Sequence, residues 1–152
     1  MSNTYTQIHI HVVFAVQNRQ SLIQSEWKDR FYSYISGIIQ NHGHKVLQIN
    51  GMPDHMHILI GMRPDQALSA LLQQVKRDSS KWLNKERLIR GRFSWQSGYG
   101  AFSITKSDVP IVAQYILKQE EHHRKKTFIE EYIEMLDDFD IKYDRRFIFK
   151  EI

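Results

Sequence analysis

The feature that most constrains the fold is the order in which two kinds of hydrophobic spacing follow one another. Alternation of apolar and other side chains predicts a strand, and apolar residues three and four apart predict a helix. Six segments predict strand, helix, strand, strand, helix and strand, in that order. They are residues 8–16, residues 25–43, residues 45–49, residues 55–60, a long helix opening at 63–65, and a strand at about 99–104.

This β-α-β-β-α-β order predicts an α+β fold, the ferredoxin-like split βαβ (RRM-like) arrangement, with strands one and three adjacent at the centre of an antiparallel sheet. Additional C-terminal helices follow. One is predicted at about 107–123, and another begins at Thr127, which has capping-box spacing to Glu130. We expect one domain over residues 1–152, with a C-terminal helix and arm at 127–152.

Composition excludes several classes of protein. Cysteine is absent, which excludes Cys-rich zinc fingers, disulfides and thiol catalysis. No apolar run approaches the ~20 residues that span a bilayer, and the polar first residues are unlike a signal peptide. With 41% hydrophobic residues the chain can bury a core. We therefore expect a cytoplasmic protein that has no membrane partner and acts at the nucleoid.

Charge is unevenly spread along the chain. Residues 63–92 carry eight basic and three acidic side chains, whereas residues 127–152 carry four basic and eight acidic ones. Such a basic middle indicates a polyanionic partner, and a solvated helix face would give the same pattern.

Eight histidines occur as four close pairs. The pairs 42/44 and 122/123 are expected to be structural, the first in a solvated turn and the second at a helix end. The pairs 9/11 and 55/57 each lie two apart on a predicted strand, so both members of a pair share one face. His55 and His57 can thus chelate a divalent cation, but an H-x-H pair needs a third ligand to form a site.

The predicted helix at 107–123 offers that third ligand. Tyr115 and Gln119 are four residues apart and lie on one helical face. The Gln119 amide oxygen could complete a site begun by two imidazoles. Tyr115 is then a candidate nucleophile, although a phenol with a pKa near ~10 needs help from a metal at neutral pH.

Three motifs occur in one order: His11-Val12-Val13-Phe14, Pro53-Asp54-His55-Met56-His57 and Tyr115-Ile116-Leu117-Lys118-Gln119. Together they resemble the single-tyrosine HUH transposases of small bacterial insertion sequences, from Thr4 to about Phe149. The resemblance implies a DNA-cleaving, strand-transferring transposase that acts on single-stranded DNA at hairpin element ends. Tyr115 would form a 5′-phosphotyrosine and release a 3′-hydroxyl, and His55, His57 and Gln119 would hold Mg2+ or Mn2+. It also implies a homodimer, in which Tyr115 can serve either subunit.

On this interpretation several further side chains contact DNA. They are His11, which could alternatively support the metal ligands, and the groove residues Lys76, Arg77, Lys81, Arg90, Arg92 and Trp95. Two alternatives stay open: a non-catalytic module that binds single-stranded nucleic acid, and a metal phosphohydrolase that uses water. A domesticated transposase acting on dispersed palindromes would have the same catalytic residues.

Overall fold

The computed structural model describes residues 3–148 and confirms the α+β class. Its sheet has four strands in the order β2-β3-β1-β4, and every neighbouring pair is antiparallel. Strands one and three are therefore central, as predicted. The strands are β1 (His9–Ala15), β2 (Lys45–Met52), β3 (His55–Gly61) and β4 (Gly100–Ile104).

Helices cover both faces of the sheet. They are α1 (Lys28–Asn41), α2 (Leu68–Glu86), α3 (Val109–Leu117), α4 (Gln119–His123) and α5 (Phe128–Asp138). Short 3-10 turns occur at Gln17–Arg19, Lys106–Asp108 and Arg145–Phe147. None of the described helices has the length and apolar character needed to cross a membrane.

Alternation along β1 sends successive side chains to two different cores. Val12 and Phe14 face α1 and α2, and this side of the sheet is called the α1–α2 face. Val13 and Ala15 pack with the buried residues of α5, and this side is called the α5 face. Because β1 is central, both faces are buried along most of its length.

Both large N-terminal helices begin later than predicted. Ser25 is not the N-cap of α1, since the cap position is Trp27, whose ring is buried against Phe31 with centroids 5.6 Å apart. The helix α2 begins at Leu68 rather than at 63–65: its N-cap, Ala67, has an extended backbone, and the Arg63 amide donates a 3.0 Å hydrogen bond to His44 Nδ1. Tertiary packing thus overrides the local start signals.

The same contact corrects the prediction for His44. It is buried, accepts a hydrogen bond from the Arg63 amide and lies 2.5 Å from Gln66 Oε1, so the pair 42/44 is not a fully solvated turn.

The predicted helix at 107–123 is interrupted. A 3-10 turn precedes α3, and Lys118 separates α3 from α4 with φ −97° and ψ 30°. The predicted cap of the next helix is confirmed, because Thr127 Oγ1 accepts a hydrogen bond from the Glu130 amide at 3.2 Å. In the predicted arm, Ile148 is buried on the α5 face. Residues 149–152 of that arm lie outside the described residues.

Candidate active site

The central strands bring three histidines to the α5 face. His11 lies on β1, and His55 and His57 lie on β3, where Val13 is the partner of His57 in the antiparallel register. All three rings are buried, and His55 and His57 have no exposed surface. His11 Nε2 lies 2.8 Å from His57 Nδ1. His11 therefore contacts His57, a predicted metal ligand, at its Nδ1 atom.

Hydrogen bonds fix the orientation of both β3 histidines. The Asp54 carboxylate lies 2.7 Å from His55 Nδ1, and since a carboxylate can only accept, Nδ1 donates and Nε2 points away from Asp54. Burial and the neighbouring His57 lower the pKa of His11 to about 3, so His11 is neutral and can accept from His57 Nδ1. Each Nε2 atom is thereby turned toward one common centre.

Gln119 reaches the same centre from α4. Its side chain is fully buried, and Gln119 Oε1 lies 3.2 Å from His55 Nε2. The break at Lys118 is stabilised from β2, where Asn50 Nδ2 donates to the carbonyls of Ile116 and Leu117 at 3.0 Å each. These carbonyls belong to the last turn of α3, which has no helical partners for them. Asn50 therefore ties the end of α3, directly before α4, to the sheet.

Two side chains that the sequence analysis did not select also lie here. Glu131, on α5, places Oε1 at 3.1 Å from His57 Nε2, at 3.6 Å from His55 Nε2 and at 3.2 Å from His123 Nε2. One ligand atom from each of these four side chains, the three histidines and Glu131, lies within 4.8 Å of the other three. Such a group of imidazole and carboxylate donors can hold a metal ion.

A signal for each was present in the sequence. His123 is four residues after Gln119, so both lie on the same side of α4. Glu131 is three residues after Phe128 and directly before Tyr132, which are both buried on α5. A carboxylate within the apolar stripe of a helix needs a buried partner, and this requirement identifies Glu131 as a candidate site residue.

Glu131 is ionised in this environment. Burial opposes its charge, but hydrogen bonds to His123, His55 and His57 outweigh burial and hold its pKa well below the usual range. Burial likewise opposes protonation of His55, yet its bonds to Asp54 and Glu131 raise its pKa. Burial dominates at His57 and lowers its pKa.

Tyr115 lies on α3 at the edge of this cluster. Its hydroxyl donates a hydrogen bond to Glu131 Oε2, and its ring lies 5.9 Å from the His57 ring and stacks on His122 at 4.4 Å. Burial and the charge of Glu131 raise the pKa of the phenol. The ring borders a cavity of about 490 Å³ that Lys125 and Lys126 also line. The predicted nucleophile and the predicted ligands thus meet within one chain.

The basic residues of the predicted DNA groove lie elsewhere. The helix α2 packs on the α1–α2 face, so its charges lie on the other side of the sheet from the histidines. The exposed residues of the predicted DNA groove are Arg77 and Lys81 on α2, and Arg90 and Arg92 after it. Lys76 is half-buried and donates to the carbonyls of Gln96 at 2.9 Å and Gly98 at 2.5 Å.

Trp95 is half-buried against the α1–α2 core. Its ring packs against Phe14 at 4.7 Å, Phe93 at 4.9 Å and Phe31 at 5.9 Å, and its indole nitrogen donates to Ser79 Oγ at 2.9 Å. The DNA contact at Trp95 stays a prediction, and the structure shows that part of this ring packs around the α1–α2 core.

A split βαβ sheet that places a tyrosine beside buried histidines and a buried glutamine is the arrangement expected of a tyrosine transposase. The chain matches the family described as "Transposase IS200 like" over residues 4–119, and it belongs to that family. The matched region contains Tyr115 and Gln119 and ends before His123 and Glu131.

Comparison with individual proteins agrees with this family. The chain is 24% identical over 119 residues to the ISDra2 transposase TnpA of Deinococcus radiodurans, covering 74% of this chain and 84% of that protein. The fold is similar to the crystal structure of a putative transposase from Deinococcus radiodurans R1, with TM-score 0.62, 18% identity, and coverage of 78% of this chain and 95% of that one. It is also similar to a REP-associated tyrosine transposase bound to a REP hairpin, with TM-score 0.61, 15% identity, and coverage of 81% and 73%.

Proposed function

We propose that the protein cuts and rejoins single-stranded DNA through a covalent link to Tyr115. One observation carries the proposal: the Tyr115 hydroxyl lies against Glu131, which also contacts His55 and His57. A phenol held beside a cluster of metal-ligating side chains is an arrangement suited to nucleophilic attack on phosphorus. The names of the relatives support a role in transposition.

In the proposed step, Tyr115 Oη attacks a backbone phosphorus. The new O–P bond forms as the P–O3′ bond breaks, leaving a 5′-phosphotyrosine. The phenolic proton is released to solvent, while Glu131 Oε2 orients the hydroxyl by accepting its hydrogen bond, and the departing O3′ takes one proton from solvent to become a 3′-hydroxyl. One phosphodiester replaces another, so a later 3′-hydroxyl can reverse the step without ATP.

His55, His57 and Gln119 are proposed to hold a divalent metal, Mg2+ or Mn2+. Their donor set fits such an ion: His55 Nε2 lies 3.2 Å from the Gln119 amide oxygen, His57 Nε2 faces the same centre, and the hydrogen bonds that the two imidazoles donate to Asp54 and His11 fix their orientation. When bound, the ion would polarise the phosphate and stabilise charge on the leaving oxygen.

DNA is proposed to contact both sides of the molecule. Lys125 and Lys126 border the cavity beside Tyr115 and are placed to bind phosphates next to the scissile one. The exposed residues Arg77, Lys81, Arg90 and Arg92 are proposed to bind a more distant part of the same DNA, such as a hairpin stem. The solved relative bound to a REP hairpin supports a hairpin as the substrate.

The proposal includes a homodimer, because two element ends must be held close together to be joined and two subunits can each hold one end. Tyr115 already lies beside His57 of its own chain, with ring centroids 5.9 Å apart. We therefore propose that cleavage uses both residues of one subunit.

The proposal is tested with single-stranded oligonucleotides copied from both strands of the DNA flanking the gene. Wild type, Tyr115→Phe and the control Tyr34→Phe are incubated with Mn2+ or EDTA and run on denaturing gels. Tyr34 stacks on Trp82 on the α1–α2 face, so its hydroxyl lies away from the site. We expect a metal-dependent protein–DNA adduct with wild type and Tyr34→Phe, and none with Tyr115→Phe.

Two other results would replace the proposal. Cleavage that survives in Tyr115→Phe without an adduct would identify a nuclease that uses water. Binding without cleavage, on oligonucleotides that include the element ends and with each metal, would identify a non-catalytic binding module.

A further inference from the structure

We infer that His123 and Glu131 are also metal ligands, so that the site has five protein donors and binds a transition-metal ion before DNA arrives. The inference rests on the proposed function, because it extends the metal site formed by His55, His57 and Gln119. It adds one residue from the end of α4 and one from α5, both beyond the region of the chain that matches the family.

The spacing of the five donor atoms fits one ion. Glu131 Oε1 lies 3.1 Å from His57 Nε2, 3.2 Å from His123 Nε2 and 3.6 Å from His55 Nε2. Gln119 Oε1 lies 3.2 Å from His55 Nε2 and 3.1 Å from His123 Nε2. Ligands bound at about 2.0–2.1 Å from a first-row ion lie about 3.0 Å apart along an octahedral edge and about 3.4 Å apart along a tetrahedral one.

His123 is oriented in the same way as the two β3 histidines. Its Nδ1 lies 3.0 Å from the Lys126 carbonyl, which can only accept, so Nδ1 carries the proton and Nε2 faces the centre. All three imidazoles therefore have an acceptor behind Nδ1: the Asp54 carboxylate, the His11 ring and the Lys126 carbonyl. Metal-bound histidines show this arrangement, which fixes the tautomer that a metal requires.

The identity of the donors selects the class of ion. Three imidazole nitrogens favour transition metals over Mg2+, which prefers oxygen ligands and water. The Glu131 carboxylate is the one acidic group among the five donors, which otherwise comprise three imidazoles and an amide. Five protein donors leave one position of an octahedron open, which is enough for one phosphate oxygen.

Isothermal titration calorimetry on the metal-free full chain, without DNA, tests the inference with Mn2+ and Mg2+ as probes. Variants are Glu131→Gln, His123→Asn, His57→Ala and the control Asp137→Asn, which removes an exposed carboxylate from the same helix. We expect one Mn2+ per wild-type chain, bound more tightly than Mg2+. Glu131→Gln and His123→Asn should each weaken Mn2+ binding about tenfold or more, and Asp137→Asn should leave it unchanged. Circular dichroism of each metal-free variant verifies that it is folded.

The outcomes separate the inference from the proposed function. If Glu131→Gln and His123→Asn bind Mn2+ as wild type does while His57→Ala does not, the five-donor site is wrong and the three-residue site stands. Unchanged binding in His57→Ala would overturn both metal sites, whereas no Mn2+ binding to wild type without DNA would overturn the inference alone. Mg2+ binding as tight as that of Mn2+ would refute the selection for a transition metal.

Discussion

Gly100 is the position where one added methyl group tests how α5 is held over the site. It lies on β4, opposite Val13 of β1, and is buried beneath α5. A Cβ at this position would lie 2.6 Å from Tyr132 Cε1 and 2.7 Å from the Tyr132 hydroxyl. Non-bonded carbon atoms approach to about 3.5–4.0 Å, so Gly100→Ala requires the Tyr132 ring to retreat by about 1 Å.

The Tyr132 ring is not free to swing aside. It is buried and lies 5.8 Å from the Phe128 ring on the same helix, so α5 should move with it. Overpacking of this kind costs about 1–3 kcal/mol of unfolding free energy. Since Glu131 precedes Tyr132, its carboxylate shifts with the helix, and metal–ligand distances keep to within about 0.2 Å of their standard values. We therefore expect Gly100→Ala to weaken Mn2+ binding as well.

Urea unfolding of the metal-free protein measures the stability, and calorimetric Mn2+ titration measures the site. Gly61→Ala is the matched control, because its Cβ would lie at an ordinary 3.5 Å from Lys45 Cβ. The double variant Gly100→Ala/Tyr132→Leu should recover part of both losses. Lower stability with unchanged Mn2+ affinity would refute the reasoning, because the ring would then have moved without the helix.

Two further predictions concern the basic residues of α2. Arg77→Gln and Lys81→Gln should each weaken the binding of hairpin DNA. The slope of log affinity against log salt concentration should become shallower by about 0.7–0.9 for each phosphate that the variant no longer binds. An unchanged slope would contradict a role of these side chains in DNA binding. Burial lowers the pKa of Lys76 from 10.5 to about 8. At a pH between these two pKa values, Lys76 binds a proton in the unfolded chain more than in the folded one, so this group makes the free energy of unfolding rise with pH. In urea unfolding, the rise from pH 8 to pH 10 should therefore be smaller for Lys76→Met than for wild type.

The central strands were predictable because their side chains alternate over a fixed period. The spacing of two places His55 and His57 on one face of β3, but His11 shares that face only because the register pairs Val13 with His57. The starts of α1 and α2 were not predictable in this way. Trp27 joins the core and Arg63 binds His44, and both contacts exist only in the folded protein.

Tyr115 and Gln119 illustrate a different limit. Their spacing of four predicts neighbours on one continuous helix, but the chain breaks between them at Lys118. They still point to one site, because Asn50 holds the end of α3 against β2. Glu131 lies 74 residues from His57 in sequence, so only the docking of α5 brings the carboxylate to the histidines.

The way the sheet supports the site explains why a polar cluster this large can be buried. Each site histidine on β3 is next to an apolar residue of the opposite face, where Met56 and Ile58 are fully buried in the α1–α2 core. A shift of β3 that displaced His55 or His57 would also open that core, so the positions of the rings are held by hydrophobic packing on the far side of the strand. The α5 side has no such second anchor: Glu131 is held by the docking of its helix and by the donors it faces. A bound ion would therefore add most to the stability of α5, so that Gly100→Ala should weaken metal binding by moving this helix, whereas Glu131→Gln should do so by replacing the donor itself.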